Sequence, residues 1–147
     1  MKKDTKKQQP EDDEDLLQDE FAREMYKEHI LDHYKHPHNF GELNEPTMTH
    51  HEHNPLCGDD ITIEIRVEDK KISDVAFHGH GCAISMASAS LVTDKIKGMT
   101  LKEVKKLSKE DVLELLAIPI SQVRLKCALL SLEVMQKAVN KEQTMKE

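Results

Sequence analysis

Tryptophan is absent from this sequence, and aromatic side chains of every kind make up only 3% of it. Any core among its 147 residues therefore has to be aliphatic. Long apolar runs are missing as well, and nothing approaches the roughly 20 residues of a membrane-spanning helix. There is no basic excess. The formal net charge is −7, and residues 1–20 hold four lysines against eight acids, which leaves −3 for the rest. A body so close to neutral excludes the cationic footprint of a nucleic-acid binder. The N-terminus lacks the apolar segment of a secretory signal and is too acidic for a usual mitochondrial presequence, so a cytoplasmic protein is expected. Cysteine is scarce and odd in number. Three cysteines without an export signal do not make a disulfide framework, and reduced thiols are expected. No internal repeat is visible, and the length suits one domain.

What is present divides into a tail and a body. Residues 1–14 are polar and highly charged with no apolar periodicity, the composition of a disordered tail. The folded domain is expected over residues 15–142, with a frayed C-terminus at 143–147. Leu16, Leu17, Phe21, Met25, Ile30 and Leu31 recur at helical spacing after a capping Asp15, which predicts a helix ending near Lys35, before His36-Pro37. A loop follows, and the His50-His51-Glu52-His53 run reads as part of a polar surface loop, with adventitious metal binding as the weaker alternative. His29, His33 and His36 share a face of the first helix; they could hold a metal, but a half-exposed helix face is the preferred reading. Residues 61–67 alternate strictly, with Ile61, Ile63, Ile65 and Val67 on one face, and predict a half-buried strand. Asp69-Lys70-Lys71 makes a short turn, and Ile72 to Phe77 returns antiparallel. Ile72 is out of phase with Val75 and Phe77, so a bulge or a late start is expected. Helices are predicted from Cys82 to about Ile96, from Thr100, from Ser108, and from Ser121–Lys126 to about Asn140. Val123, Cys127, Leu130, Val134 and Ala138 form the buried stripe of the last one.

The chemistry gathers at element boundaries. Gly79-His80-Gly81-Cys82 joins a strand to a helix, and the start of that helix favours a thiolate at Cys82. Cys57 and Asp59 flank Gly58 at i and i+2, so in extended chain they project together. Cys127 falls near the start of the last helix, after Arg124 and Lys126. Spacings of 25 and 45 residues match no compact zinc finger. The fold would have to assemble any shared site. Three thiolates and a carboxylate complete a tetrahedral set for Zn²⁺, or offer two ligands to each iron of a [2Fe–2S] unit. A permanent cluster normally takes four cysteines. An oxygen ligand binds soft iron–sulfide less firmly, which suits a site the cluster must leave. The competing reading is three buried cysteines that only fill space.

Four motifs occur in order: Asp32-His33-Tyr34 with Pro37 and Asn39; Asn54-Pro55-x-Cys57-Gly58-Asp59; Gly81-Cys82-x-Ile84-Ser85-Met86-Ala87-Ser88-Ala89-Ser90; and Arg124-x-Lys126-Cys127-Ala128-x-Leu130. Together, over about residues 24–140, they resemble the NifU/IscU family of iron–sulfur cluster assembly proteins, the SufU branch most closely. The resemblance implies an α+β domain of the SufE/NifU-like kind, a small antiparallel sheet with helices packed on it. It implies that Cys57, Asp59, Cys82 and Cys127 are metal or cluster ligands. It also implies that sulfur arrives as a persulfide from a pyridoxal-phosphate cysteine desulfurase. Scaffold members build a [2Fe–2S] cluster and pass it to apoproteins; SufU-type members hold zinc and act mainly as sulfur acceptors. Two features pull apart. Lys126 stands where IscU-type members have a histidine, which leans to SufU. The interval between Cys82 and Cys127 is short, nearer IscU length, whereas SufU-type members usually carry an extra segment there.

The expected function is cluster assembly. Cys57, Asp59, Cys82 and Cys127 hold a transient [2Fe–2S] cluster or Zn²⁺, with Asp59 as the exchangeable ligand. Cys57 and Cys127 are the candidate persulfide acceptors. Arg124 is expected to pair with a carboxylate near the site or on the desulfurase, and Lys126 to steady thiolate or persulfide charge. The partners are a cysteine desulfurase and recipient apo iron–sulfur proteins, with no nucleic acid and no membrane. The alternatives are a SufU-type zinc-dependent sulfur acceptor that builds no cluster, and a binding module with a structural zinc site. A conventional thiol enzyme is disfavoured, because no histidine is set as general base for Cys82; His78 and His80 read as structural or solvent-facing.

Overall fold

The structure, a computed structural model, describes residues 27–55 and 58–146, with side chains through Asn140. The expectations for residues 1–14, for the helix start at Asp15 and for Cys57 therefore lie outside the described residues.

Three strands form one antiparallel sheet in the order β1 (Met48–Asn54), β2 (Asp59–Glu68), β3 (Lys71–His80). β2 is central, and the alternation read from its sequence holds. Ile61, Ile63 and Ile65 face the helices and are fully buried. Their partners on β3 are Gly79, Phe77 and Val75. The register slips between Arg66 and Val67, because Arg66 pairs with Asp74 and Val67 with Ile72. Ser73 is thus the extra residue of a bulge, and the bulge turns Ile72 into the core despite its odd phase. The β2–β3 turn is only Asp69-Lys70. Both residues take positive φ, 54° and 67°, as the tight hairpin turn requires, although neither is glycine.

β1 corrects the reading of His50–His53 as loop. The alternation is hidden because the helix-facing residues of this edge strand (Met48, His50, Glu52, Asn54) are mostly polar. At the edge they meet the last helix, where Lys137 reaches Glu52 at 3.1 Å.

The described part of the first helix, α1 (residues 27–35), ends at Lys35 as its sequence predicts. His33 is buried rather than half-exposed. It shares a hydrogen bond with Ser90 Oγ at 2.7 Å and packs its ring against His29 and His38. Leu31, one of the residues in the apolar pattern, is exposed. α2 (Ala83–Ile96) lies almost wholly inside, its Ala and Ser residues letting neighbouring backbone approach. α3 (Leu101–Lys105) and α4 (Lys109–Leu116) both start with capping boxes, Thr100 with Glu103 and Ser108 with Asp111. α5 (Gln122–Lys146) packs on α2, β1 and β2. It runs past Asn140, because Lys-Glu-Gln-Thr-Met-Lys contains no helix breaker. Cys127, Leu130, Val134 and Ala138 form its buried stripe, but Val123 does not belong to it: this side chain is 84% exposed. The first turn of α5 is largely exposed, so the stripe begins only at Cys127.

Candidate functional site

Three elements bring the chemistry together. β2 opens with Asp59, whose side chain points to the helix side and is 1% exposed. β3 ends at His80, Gly81 follows, and Cys82 is the residue that caps α2. α5 carries Cys127 on its buried face, also 1% exposed. The donor atoms of Asp59, Cys82 and Cys127 all lie within 4.8 Å of one another. Three of the four donors read from the sequence therefore converge. Cys57, two residues before Asp59, is the fourth.

Glycine makes this approach possible. A Cβ on Gly81 would overlap Ser85 Oγ and stand 2.7 Å from Asp59 Oδ1. Through the space it leaves, Asp59 Oδ1 accepts the backbone N–H of Cys82 at 3.0 Å. Gly79 is required for another reason: its φ is +134°, and a Cβ there would overlap the carbonyl oxygen of Asp60 across the sheet.

The electrostatics favour a thiolate. Burial pushes the Cys82 thiol up, and the Asp59 charge pushes the same way. The Ser85 amide and hydroxyl, with the Ile84 amide, outweigh both, so Cys82 titrates below the ordinary thiol value. These donors are the free N–H groups of the first turn of α2. Ser85 is a residue whose part in the site the sequence does not announce. It is buried, and its single hydroxyl proton is shared between the Cys82 sulfur and the Cys82 carbonyl, the latter at 3.1 Å.

Arg124 and Lys126 separate. Arg124 lies three residues before Cys127, on the same helical face. The Cys82 charge, a hydrogen bond to Cys82, and the charges of Cys127 and Asp59 raise the Arg124 guanidinium above its usual value. The first partner of Arg124 is thus the Cys82 sulfur and not a carboxylate. Lys126 is one position from Cys127 and points elsewhere, into a groove of about 330 Å³ between the end of β1 and α5, with Glu52, Pro55, Leu129 and Glu133. His78 and His80 lie on the opposite face of the sheet from Asp59, as the alternation of β3 requires, and serve as no base for Cys82.

Two soft sulfur donors and one carboxylate, with Asp59 and Cys127 buried, Cys82 half-buried and a cation beside them, suit zinc or an iron–sulfur unit in the chemistry of the donor set. Comparison with known proteins agrees. Residues 25–147 match the family model of the NifU-like N-terminal domain. The zinc-dependent sulfurtransferase SufU of Bacillus subtilis is 36% identical over 136 aligned positions, spanning 81% of this chain and 92% of that protein. The iron–sulfur cluster assembly scaffold protein IscU 1 of Archaeoglobus fulgidus is 32% identical over 115, spanning 78% and 74%. A crystal structure of the N-terminal NifU-like protein of Brucella abortus superposes with a TM-score of 0.68 over 79% of this chain and 92% of that one; at 19% identity it supports the fold alone. The chain belongs to the NifU/IscU family of iron–sulfur cluster assembly proteins. Within that family, both SufU and IscU proteins are among its relatives at similar identity. Among the described residues no helix is long and apolar enough to cross a membrane.

Proposed function

We propose that this protein is a scaffold on which sulfur from a cysteine desulfurase and iron are assembled into a transient [2Fe–2S] cluster for apoproteins. The observation that carries the reading is the convergence of Asp59, Cys82 and Cys127 at the start of α2. Cys57, two residues from Asp59, completes the set, and the cluster is cargo rather than a resident group. Asp59 is the ligand that lets go. It already accepts a hydrogen bond from the Cys82 N–H, which competes with a metal for its lone pairs.

Sulfur transfer needs a free thiolate. The acceptor thiolate attacks the outer sulfur of the desulfurase persulfide; the new S–S bond forms as the old one breaks, and the desulfurase sulfur leaves as thiolate. Cys127 is 1% exposed, which argues for Cys57 as the first acceptor. Arg124 balances the charge that collects on the sulfurs. Assembly then draws on ferrous iron and an external electron donor, and a reducing cytoplasm suits the thiols.

A second reading has a specific observation behind it. A relative named for zinc-dependent sulfur transfer is 36% identical, and Lys126 precedes the third cysteine. In that reading zinc occupies the same residues and no cluster forms. Anaerobic incubation with ferrous iron, a cysteine desulfurase, cysteine and a thiol reductant separates the two. The scaffold reading expects a visible cluster chromophore that Cys82→Ser abolishes. Tight zinc, no chromophore and faster desulfurase turnover would overturn it in favour of sulfur transfer alone.

A further inference from the structure

The face of the sheet away from the helices gathers a second set of side chains of metal-ligating type, of which His51 and Asp60 already touch. Asp59 and Asp60 are consecutive on β2, so they project to opposite sides. Asp59 enters the thiolate site; Asp60 stands on the outer face. Directly across from Asp60 lie His53 on β1 and His80 on β3. His51, one pair further along β1, already reaches it, with Nε2 to Oδ1 at 2.6 Å. His51, His53 and His80 are all exposed, and Asp60 is partly so.

The rest of this face is occupied, which makes the open end distinct. The segment before β1 crosses the far end: Leu43 N–H donates to Glu64 Oε1 at 2.7 Å, Arg66 donates to the Asn44 carbonyl, and Ala76 is buried beneath. That cover stops short of Asp60. Adjacent strands are about 4.8 Å apart. An imidazole Nε2 stands about 4.5 Å from its own Cα, and a zinc–nitrogen bond adds about 2.1 Å, so an ion above Asp60 is within reach of both neighbouring strands. Histidines on the two flanking strands can therefore lean over Asp60 with only rotamer changes. Three imidazoles and one carboxylate form a nitrogen–oxygen donor set of the kind that takes zinc, cobalt, nickel or ferrous ions.

We propose that His51, His53, Asp60 and His80 hold one divalent first-row transition-metal ion on the outer face of the sheet, back to back with the thiolate site. The ion would displace the His51–Asp60 hydrogen bond and tie the three strands together where β2 begins. This site stands on strand register alone and does not depend on what the cysteines carry.

Cobalt(II) distinguishes the two sites, because only thiolate ligands give it an intense near-ultraviolet charge-transfer band. The reduced full chain is loaded with one equivalent of Zn²⁺ and then titrated with Co²⁺, followed by calorimetry and absorption. The expected result is one further equivalent of cobalt, bound with weak visible bands and no charge transfer. Losing an outer partner of a ligand typically costs 10–100-fold in affinity, so losing a ligand in His53→Ala or His80→Ala should weaken this binding at least about tenfold. Both positions are exposed, and an unchanged far-ultraviolet circular dichroism spectrum confirms that the variants fold. Asp60→Asn is a third arm. The proposal is overturned if no further equivalent binds. It is equally overturned if the added cobalt shows thiolate charge transfer, or if the histidine variants keep the affinity within about twofold.

Discussion

At the scale of single residues, the site depends on an atom that is missing. Gly81 has no Cβ, and the carboxylate of Asp59 passes through that space to the Cys82 N–H. Gly81→Ala should push Asp59 off this hydrogen bond without touching a ligand. The expected outcome is zinc affinity reduced by about 10–100-fold, as for other changes that misplace a ligand, with unchanged far-ultraviolet circular dichroism. Competition with a chromophoric chelator measures it. Gly79→Ala is expected to differ in kind. It strains a backbone at φ +134° and collides with Asp60, so the loss is in stability and exceeds about 3 kcal/mol, read as a lower urea midpoint. Arg124 supplies a third contrast. Its guanidinium faces the Cys82 sulfur, so Arg124→Ala should slow alkylation of Cys82 in the metal-free protein at neutral pH, by about threefold for each tenfold loss of thiolate, because a more basic thiolate is the better nucleophile. Lys126→Ala, one position away on a different face, should leave that rate unchanged.

At the scale of elements, α2 is the keystone, and two sets of polar bonds hold it. Ser88 Oγ donates to the Ala128 carbonyl at 2.6 Å and meets Ser131, binding α2 to α5 right beside Cys127. Ser90 Oγ shares a bond with His33 and accepts the His38 N–H at 2.8 Å, binding α2 to α1 and the loop after it. The second set is sensitive to pH. Burial, then the neighbouring charges of His29 and His38, lower the pKa of His33 below 6.5, outweighing the opposing pull of Asp94 and Asp32. Between the lowered folded value and 6.5 the unfolded chain binds the extra proton, so stability rises with pH across that window. The contribution is complete above 6.5 and is lost as pH falls through the folded value. Urea midpoints of wild type and His33→Gln, compared from pH 7.5 to 5, should show the wild type losing stability more steeply towards acid. Parallel slopes would refute the assignment. This burial was not legible in the sequence: a histidine on a polar helix face looks solvated until Ser90, 57 residues away, is brought against it. β1 was hidden for a related reason, since its inward positions answer to a charged helix edge and not to an apolar core. β2 was legible because its partners on the inner face are apolar, and strict alternation is the only pattern a half-buried central strand tolerates.

At the scale of the whole molecule, the cysteines were legible as a set only through their surroundings. Spacings of 25 and 45 residues say nothing by themselves. Glycines beside Cys57 and Cys82, an acid at i+2 and a cation at i−3 marked each as a boundary residue, and the fold brings Asp59, Cys82 and Cys127 together. What sequence could not give is which cation faces the sulfurs, because helical phase around Cys127 depends on where α5 begins. The consequence for the intact protein is mechanical. Asp59 belongs to the sheet, Cys82 to α2 and Cys127 to α5, so an ion held by all three fastens the layers to one another. Binding to the folded state alone stabilises by about 2.7 kcal/mol when free ligand is 100 times its dissociation constant. At roughly 2–4 °C per kcal/mol for a chain of this size, zinc should raise the melting temperature by about 5–11 °C. A chelator should reverse the shift. Cys82→Ser should lose most of it, while Lys126→Ala, which faces away from the sulfurs, should keep it. A melting temperature indifferent to zinc would mean that the three donors, close as they are, do not act as one centre.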